Sequence, residues 1–260
     1  FVNEQDERFL RIKERIQKLH LGGVVVYQGT PHDTAALLNA LQRLARVPLL
    51  VAGDLERGAA MRIALTLGLP HNMAIAATLD PAHAAFAAEV TAREARALGI
   101  HWTYAPVADV NNNPENPIIN IRSYGEDVAQ VSKMVAAYVR SAEQHGLLTT
   151  VKHFPGHGDT ATDSHMALGV VAGDRARLER VELEPFRAAI AAGVSSVMTA
   201  HLAVPALEPD TRLPATLSRN VLTTLLREQM GFQGIIVTDA LEMAGVTSHY
   251  WPGEAALRAF

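Results

Sequence analysis

Residues 152–165, KHFPGHGDTATDSH, gather Lys152, His153, His157, Asp159, Asp163 and His165 into one short stretch, with Pro155, Gly156 and Gly158 among them. Pro and Gly break helices and central strands, so the stretch reads as a loop, and it directly follows the apolar run LLTTV. Imidazoles exchange protons near neutral pH, and a neighbouring carboxylate can orient them, so the loop carries the groups for acid–base chemistry. By type, His153, His157, Asp163 and His165 are also acceptable zinc ligands. Two features oppose a metal. The helical HExxH pattern is missing, and the Lys152 charge would repel a cation held by His153 next to it.

Other polar groups fall in a related pattern. Apolar or β-branched runs occur at 22–28 (GGVVVYQ), 47–54 (VPLLVAGD), 100–110 (IHWTYAPVADV), 147–153 (LLTTVKH), 194–201 (VSSVMTAH) and 234–240 (GIIVTDA). They end at Gln28, Asp54, Asp109, Lys152 with His153, His201 and Asp239. Runs apolar on both faces read as buried parallel strands. Helical patterns lie between them, at about 33–45, 81–98, 125–145, 178–192 and 218–230. Asp80 before Pro81, and Ser218, are expected N-caps; Gly99, Gly146, Gly193 and Gly231 are expected left-handed C-caps. Alternating strand and helix means α/β, and parallel strands put all their C-terminal ends on one side. In a (β/α)₈ barrel that side carries the active site. No GxGxxG follows the first strand and no P-loop is present, which argues against nucleotide binding. Simple solvation of a strand end accounts for Gln28 and Asp109; it accounts poorly for Lys152 with two histidines.

Composition sets the outer bounds. The chain has 260 residues, 48% of them hydrophobic, a net charge of −4, eleven His and no Cys. Disorder is excluded, and so are disulfides and thiolate metal sites. Without a Lys/Arg block, nucleic acid is a poor partner. Residues 188–207 lack Asp, Glu, Lys and Arg and are long enough to span a bilayer, but Gly193 splits them. They read as a helix end followed by a buried strand. No signal peptide is visible, and the compartment, cytoplasmic or periplasmic and secreted, stays open.

The loop KHFPGHGDTATDSH, followed by TAH (199–201) and VTDALEM (237–243), resembles glycoside hydrolase family 3, specifically its β-N-acetylglucosaminidase branch. GDLERGAAMR (53–62) and NIRSYG (120–125) resemble two further segments of that family, in order and at similar spacing. The DSH triplet is the mark of the branch. One departure is Glu56-Arg57-Gly58, where the family has an acidic residue followed by two glycines; an Arg beside the sugar site would alter what is accepted there. The resemblance implies a (β/α)₈ TIM-type barrel, with residues 1–260 an N-terminal catalytic domain. Six strands are visible where a barrel needs eight, so the C-terminal part of the barrel, and any further domain, is expected beyond Phe260.

It also implies roles. A retaining glycosidase needs a carboxylate nucleophile and a proton donor. The resemblance makes these Asp239 and His165, with Asp163 orienting His165. Asp54, Arg62, Arg122, Lys152 and His153 are the expected sugar ligands. His157 and Asp159 are expected to shape the loop, His201 to stand beside the site, and Trp102 and Tyr104 to be core. The expected substrate is a glycoside ending in β-linked N-acetylglucosamine, such as a peptidoglycan fragment, cleaved without metal or cofactor. Phosphorolysis, a metal-dependent hydrolase and a non-catalytic sugar-binding protein are the alternatives.

Overall fold

A computed structural model describes residues 5–161 and 168–260. Its framework is six parallel strands in chain order: β1 (Gly23–Val26), β2 (Leu50–Gly53), β3 (Trp102–Thr103), β4 (Thr150–Phe154), β6 (Ser196–Thr199) and β8 (Ile235–Thr238). β1, β2 and β3 form one ladder and β4, β6 and β8 another. Parallel bridges Trp102–Leu148 and Val107–Lys152 join the two into one arc. Two short strands, β5 (Gly169–Val170) and β7 (Leu202–Ala203), pair with each other beyond β4 and β6. Parallel strands in sequential order with helices between them are consistent with a TIM-barrel-type domain.

The helices are α1 (Glu7–Leu19), α2 (Pro31–Leu44), α3 (Asn72–Ala76), α4 (Pro81–Ala97), α5 (Val128–Gln144), α6 (Arg175–Arg180), α7 (Glu184–Ala191), α8 (Ala244–Thr247) and α9 (Pro252–Ala259), with a wider, π-type helix over Asn220–Gln229 between α7 and α8. The expected caps are in place. Asp80 accepts the Ala82 N–H at 2.9 Å and Ser218 Oγ that of Val221 at 3.2 Å. Gly99, Gly146, Gly193 and Gly231 all have positive φ. The helix expected over 178–192 is instead two. Pro185 has no N–H to give Val181 and tolerates only a first turn, so α6 stops at Arg180 and α7 starts at Glu184. The strand expected over 100–110 pairs regularly only at Trp102–Thr103, since Pro106 lacks a donor. α1, polar on most of its surface, is an addition to the sequence reading. The apolar segment 188–207 folds as the end of α7, then β6 and β7; among the described residues no helix is long and apolar enough to cross a membrane.

The core lies between the arc and the helices. Ala84, Ala88, Ala92 and Ala95 recur along one face of α4, and such small side chains let α5 approach closely. Val151 and Phe154 of β4 and Val197 of β6 pack on Met134, Val135 and Val139 of α5. Phe154 meets Phe186 of α7 edge to face at 5.2 Å. Trp102 is core, as expected. Its indole N–H donates to Thr150 Oγ1 at 2.7 Å and Ser196 Oγ at 2.9 Å, tying three strands together.

Candidate active site

The C-terminal ends of the strands surround a cavity of about 400 Å³. Asp54 reaches it from just past β2, Lys152 and His153 from β4, and Asp239 from just past β8; Arg122 arrives on a short 3₁₀ turn, Asn120–Arg122. In a regular strand, adjacent side chains point to opposite faces, yet Lys152 and His153 both line the cavity. The β4–β6 register shifts between Val151 and Phe154, and that irregularity lets two neighbours serve one face.

Charge pairing organises the floor. Lys152 Nζ lies 2.6 Å from Asp54 Oδ1 and 2.7 Å from Glu56 Oε1. Arg122 grips Glu56 with two parallel bonds, Nε to Oε2 at 3.0 Å and Nη2 to Oε1 at 2.7 Å. Arg62 Nη2 donates to Asp54 Oδ2 at 2.9 Å and its guanidinium sits 5.5 Å from the Tyr27 ring centre. Burial alone would raise the Glu56 pKa, but Lys152 and Arg122 hold it well below the carboxylate range. Burial would likewise lower Lys152; the carboxylates of Glu56 and Asp54 reverse that, so it stays charged.

His153 has its tautomer set by its partners. Its Nδ1 lies 2.7 Å from Asp109 Oδ2, and Arg122 Nη2 is 3.3 Å from its Nε2. A guanidinium only donates, so Nε2 accepts and Nδ1 carries the hydrogen to Asp109. Asp109 is not the solvated strand end expected from the sequence. It is fully buried and also accepts the backbone N–H of His157 at 2.7 Å. Burial pushes its pKa up, and His153 and His157 bring it down below the usual value.

His157 and Asp159 shape the loop, as expected, though His157 also lines the cavity. The His157 ring meets Thr160 Oγ1 at 2.6 Å, Asn116 Nδ2 donates to the His157 carbonyl at 2.7 Å, and Arg177 pairs with Asp159 at 2.8 Å. His201 stands beside the site, with ring nitrogens 2.9 Å from Thr216 Oγ1 and from the Ala240 carbonyl. Asp239 takes the Ala240 N–H at 2.8 Å. Burial raises its pKa, but His153, that amide, Lys152 and His201 outweigh it and keep the carboxyl below its ordinary value.

Thus the structure brings Asp54, Arg122, Lys152, His153 and Asp239 together, with Arg62 behind Asp54. Asp163 and His165 lie outside the described residues. Two expectations are corrected. Tyr104 is not core: it lines the cavity, and burial pushes its pKa up to about 12. Arg57 does not stand beside the cavity, where an Arg was expected to act: it is exposed and outside the lining, while Glu56 points inward. Among the described residues no group of three His, Cys, Asp or Glu is arranged to hold a metal ion.

Residues 6–260 match the model of the glycosyl hydrolase family 3 N-terminal domain. The chain belongs to glycosyl hydrolase family 3. This family 3 chain is 40% identical over 238 residues to a β-N-acetylglucosaminidase/β-glucosidase of Cellulomonas fimi, an alignment covering 88% of the chain and 42% of that protein. The solved structure of a family 3 β-N-acetylglucosaminidase from Paenibacillus sp. str. FPU-7 superposes with a TM-score of 0.92 at 45% identity, over 95% of this chain and 48% of that one. A β-glucoside phosphorylase, BglX, bound to 2FGlc, superposes with a TM-score of 0.87 at 33% identity, over 91% and 44%. The chain spans less than half the length of each of these relatives.

Proposed function

We propose that this family 3 domain belongs to a retaining, exo-acting β-N-acetylhexosaminidase that releases terminal N-acetylglucosamine from β-glycosides, peptidoglycan fragments among them. The observation that carries the reading is Asp239. It is a carboxylate kept ionised at the end of a half-buried strand, facing a floor of Asp54, Lys152, Arg122 and His153 in one small cavity. The relatives' names support the choice of sugar.

Asp239 is the nucleophile. It attacks the anomeric carbon as the glycosidic bond breaks, and the leaving oxygen takes a proton from His165. His165, oriented by Asp163, then removes a proton from the incoming water, whose oxygen displaces Asp239 with net retention. Asp54 accepts from sugar hydroxyls, Lys152 and Arg122 donate, and the His153 ring borders the sugar. Arg62 acts through Asp54, which it holds at 2.9 Å. No step calls for a metal. The fold reading is a (β/α)₈ barrel of which residues 1–260 form the front; half-exposed Val25 and Ile235 on the outer strands of the arc support continuation on both sides.

Phosphorolysis is the second reading, supported by the likeness to the β-glucoside phosphorylase and by a His acid/base, which repels phosphate less than a carboxylate would. Aryl glycosides differing only at C2 test the sugar: faster cleavage of N-acetylglucosaminide than glucoside is expected, and the reverse sinks the assignment. Sugar 1-phosphate as the main product in phosphate buffer would promote the second reading.

A further inference from the structure

The floor of the cavity is charge-matched, but among the described residues one lining carboxylate is not. Asp54 faces Lys152 and Arg62, and Glu56 faces Lys152 and Arg122. Glu242 also lines the cavity, on the segment that leads outward from Asp239. It is exposed, and it has no ion-pair or hydrogen-bond partner among the described residues. An unpaired, exposed carboxylate that lines a pocket imposes a field on whatever enters beside it. The residues on the floor hold the sugar being removed, so a group three residues past the nucleophile, toward the mouth, borders the other partner of that bond.

We infer that Glu242 is a specificity-determining residue that selects aglycones uncharged next to the scissile bond and disfavours anionic ones. This rests on the glycosidase reading above and deepens it. Accepted aglycones are N-acetylglucosamine itself and muramyl sugars whose lactyl carboxyl is blocked as an amide; a muramyl sugar with a free lactyl carboxylate is disfavoured. The same charge opposes phosphate as the acceptor and so favours water.

The test compares two disaccharides with the same terminal N-acetylglucosamine. One is β-1,4-linked to N-acetylglucosamine, the other to N-acetylmuramic acid with its lactyl carboxylate free. kcat/KM for both is measured for the native protein and for Glu242→Gln. The substitution should raise the muramyl substrate relative to the neutral one by roughly three- to tenfold, the size of one unit charge acting through wet protein. About 1 M salt should erase most of that gain. An equal response of both substrates, or a gain indifferent to salt, overturns the inference. Dissociation constants of the same disaccharides for Asp239→Ala, with and without Glu242→Gln, separate the two layers. A shifted binding ratio without any turnover by the native protein leaves the charge selection standing and removes the glycosidase reading. Turnover with neither ratio shifted removes the charge selection alone.

Discussion

The Asp109 carboxylate, with no solvent exposure, lies 2.7 Å from the imidazole Nδ1 of His153 and so aims the opposite ring nitrogen at the cavity. Asp109→Asn keeps the shape, but an amide that turns its NH₂ toward the ring would reverse the tautomer. Nε2 would then carry the hydrogen and face Arg122, donor against donor. A misoriented binding group commonly costs about 10²-fold, and a loss of roughly ten- to a hundredfold in kcat/KM is expected. Unchanged kinetics in a folded Asp109→Asn protein would show that His153 does not need this partner.

The two proposed catalytic residues should separate by leaving group. Asp239→Ala should abolish turnover of every substrate, because no covalent intermediate can form. A dinitrophenolate departs without a proton and a sugar alkoxide does not. His165→Ala should therefore retain far more activity on the dinitrophenyl glycoside, by about 10²–10⁴-fold, the usual worth of a general acid. Glycosyl-enzyme should accumulate, seen as a burst of phenol, and azide, which needs no base, should speed its breakdown. Asp163→Asn should show a milder form. Equal slowing of both substrates and no response to azide would remove His165 from the role.

Glu56→Ala leaves the buried Lys152 with Asp54 alone and takes the bidentate partner from Arg122. Breaking a buried ion pair typically costs about 3–5 kcal/mol. Urea unfolding should show a loss near the lower end of that range, since Asp54 still holds Lys152. Glu56→Gln should lose less. A midpoint unchanged by Glu56→Ala would mean that the cluster adds nothing to stability.

Burial lowers the His157 pKa to about 4. The unfolded chain, with its imidazole near 6.5, then binds more protons than the folded one across that window. Stability should be full above about pH 6.5 and fall as pH drops toward 4, by on the order of 3 kcal/mol at most. Asp109 is held below its ordinary value, so its contribution is lost at lower pH still, once protonation sets in below about 4. His157→Gln should flatten the slope between pH 6.5 and 4 in denaturant titrations; an unaltered slope would assign it to other groups.

The elements with strong periodicity and clear punctuation were legible: α4 behind Asp80-Pro81, the four glycine C-caps, and the strand runs that end at Asp54, Lys152 and Asp239. The partnerships were not. Lys152 meets Asp54 across 98 positions and His153 meets Asp109 across 44, distances over which spacing says nothing about contact. A polar residue at a strand end looks the same in sequence whether water or a buried network receives it, and Asp109 belongs to the second kind. Tyr104 follows the same logic, since a strand's period fixes a face without saying which face is hollow. The residues Glu56 and Arg57 are adjacent, and only the fold shows that the acid turns inward and the Arg outward.

The doubly paired ammonium of Lys152 is also a reporter. The chain has four lysines, and Lys13, Lys18 and Lys133 stand on the surface while Lys152 is 2% exposed. Amine-acylating reagents attack only an unprotonated, accessible nitrogen. With both carboxylates in place, Lys152 offers neither the lone pair nor the access, and modification has to wait until the strand ends part. Its labelling rate, set against the three outer lysines in the same tube, therefore clocks how often this pocket comes undone in the native protein, and a sugar bound on the floor should slow that clock.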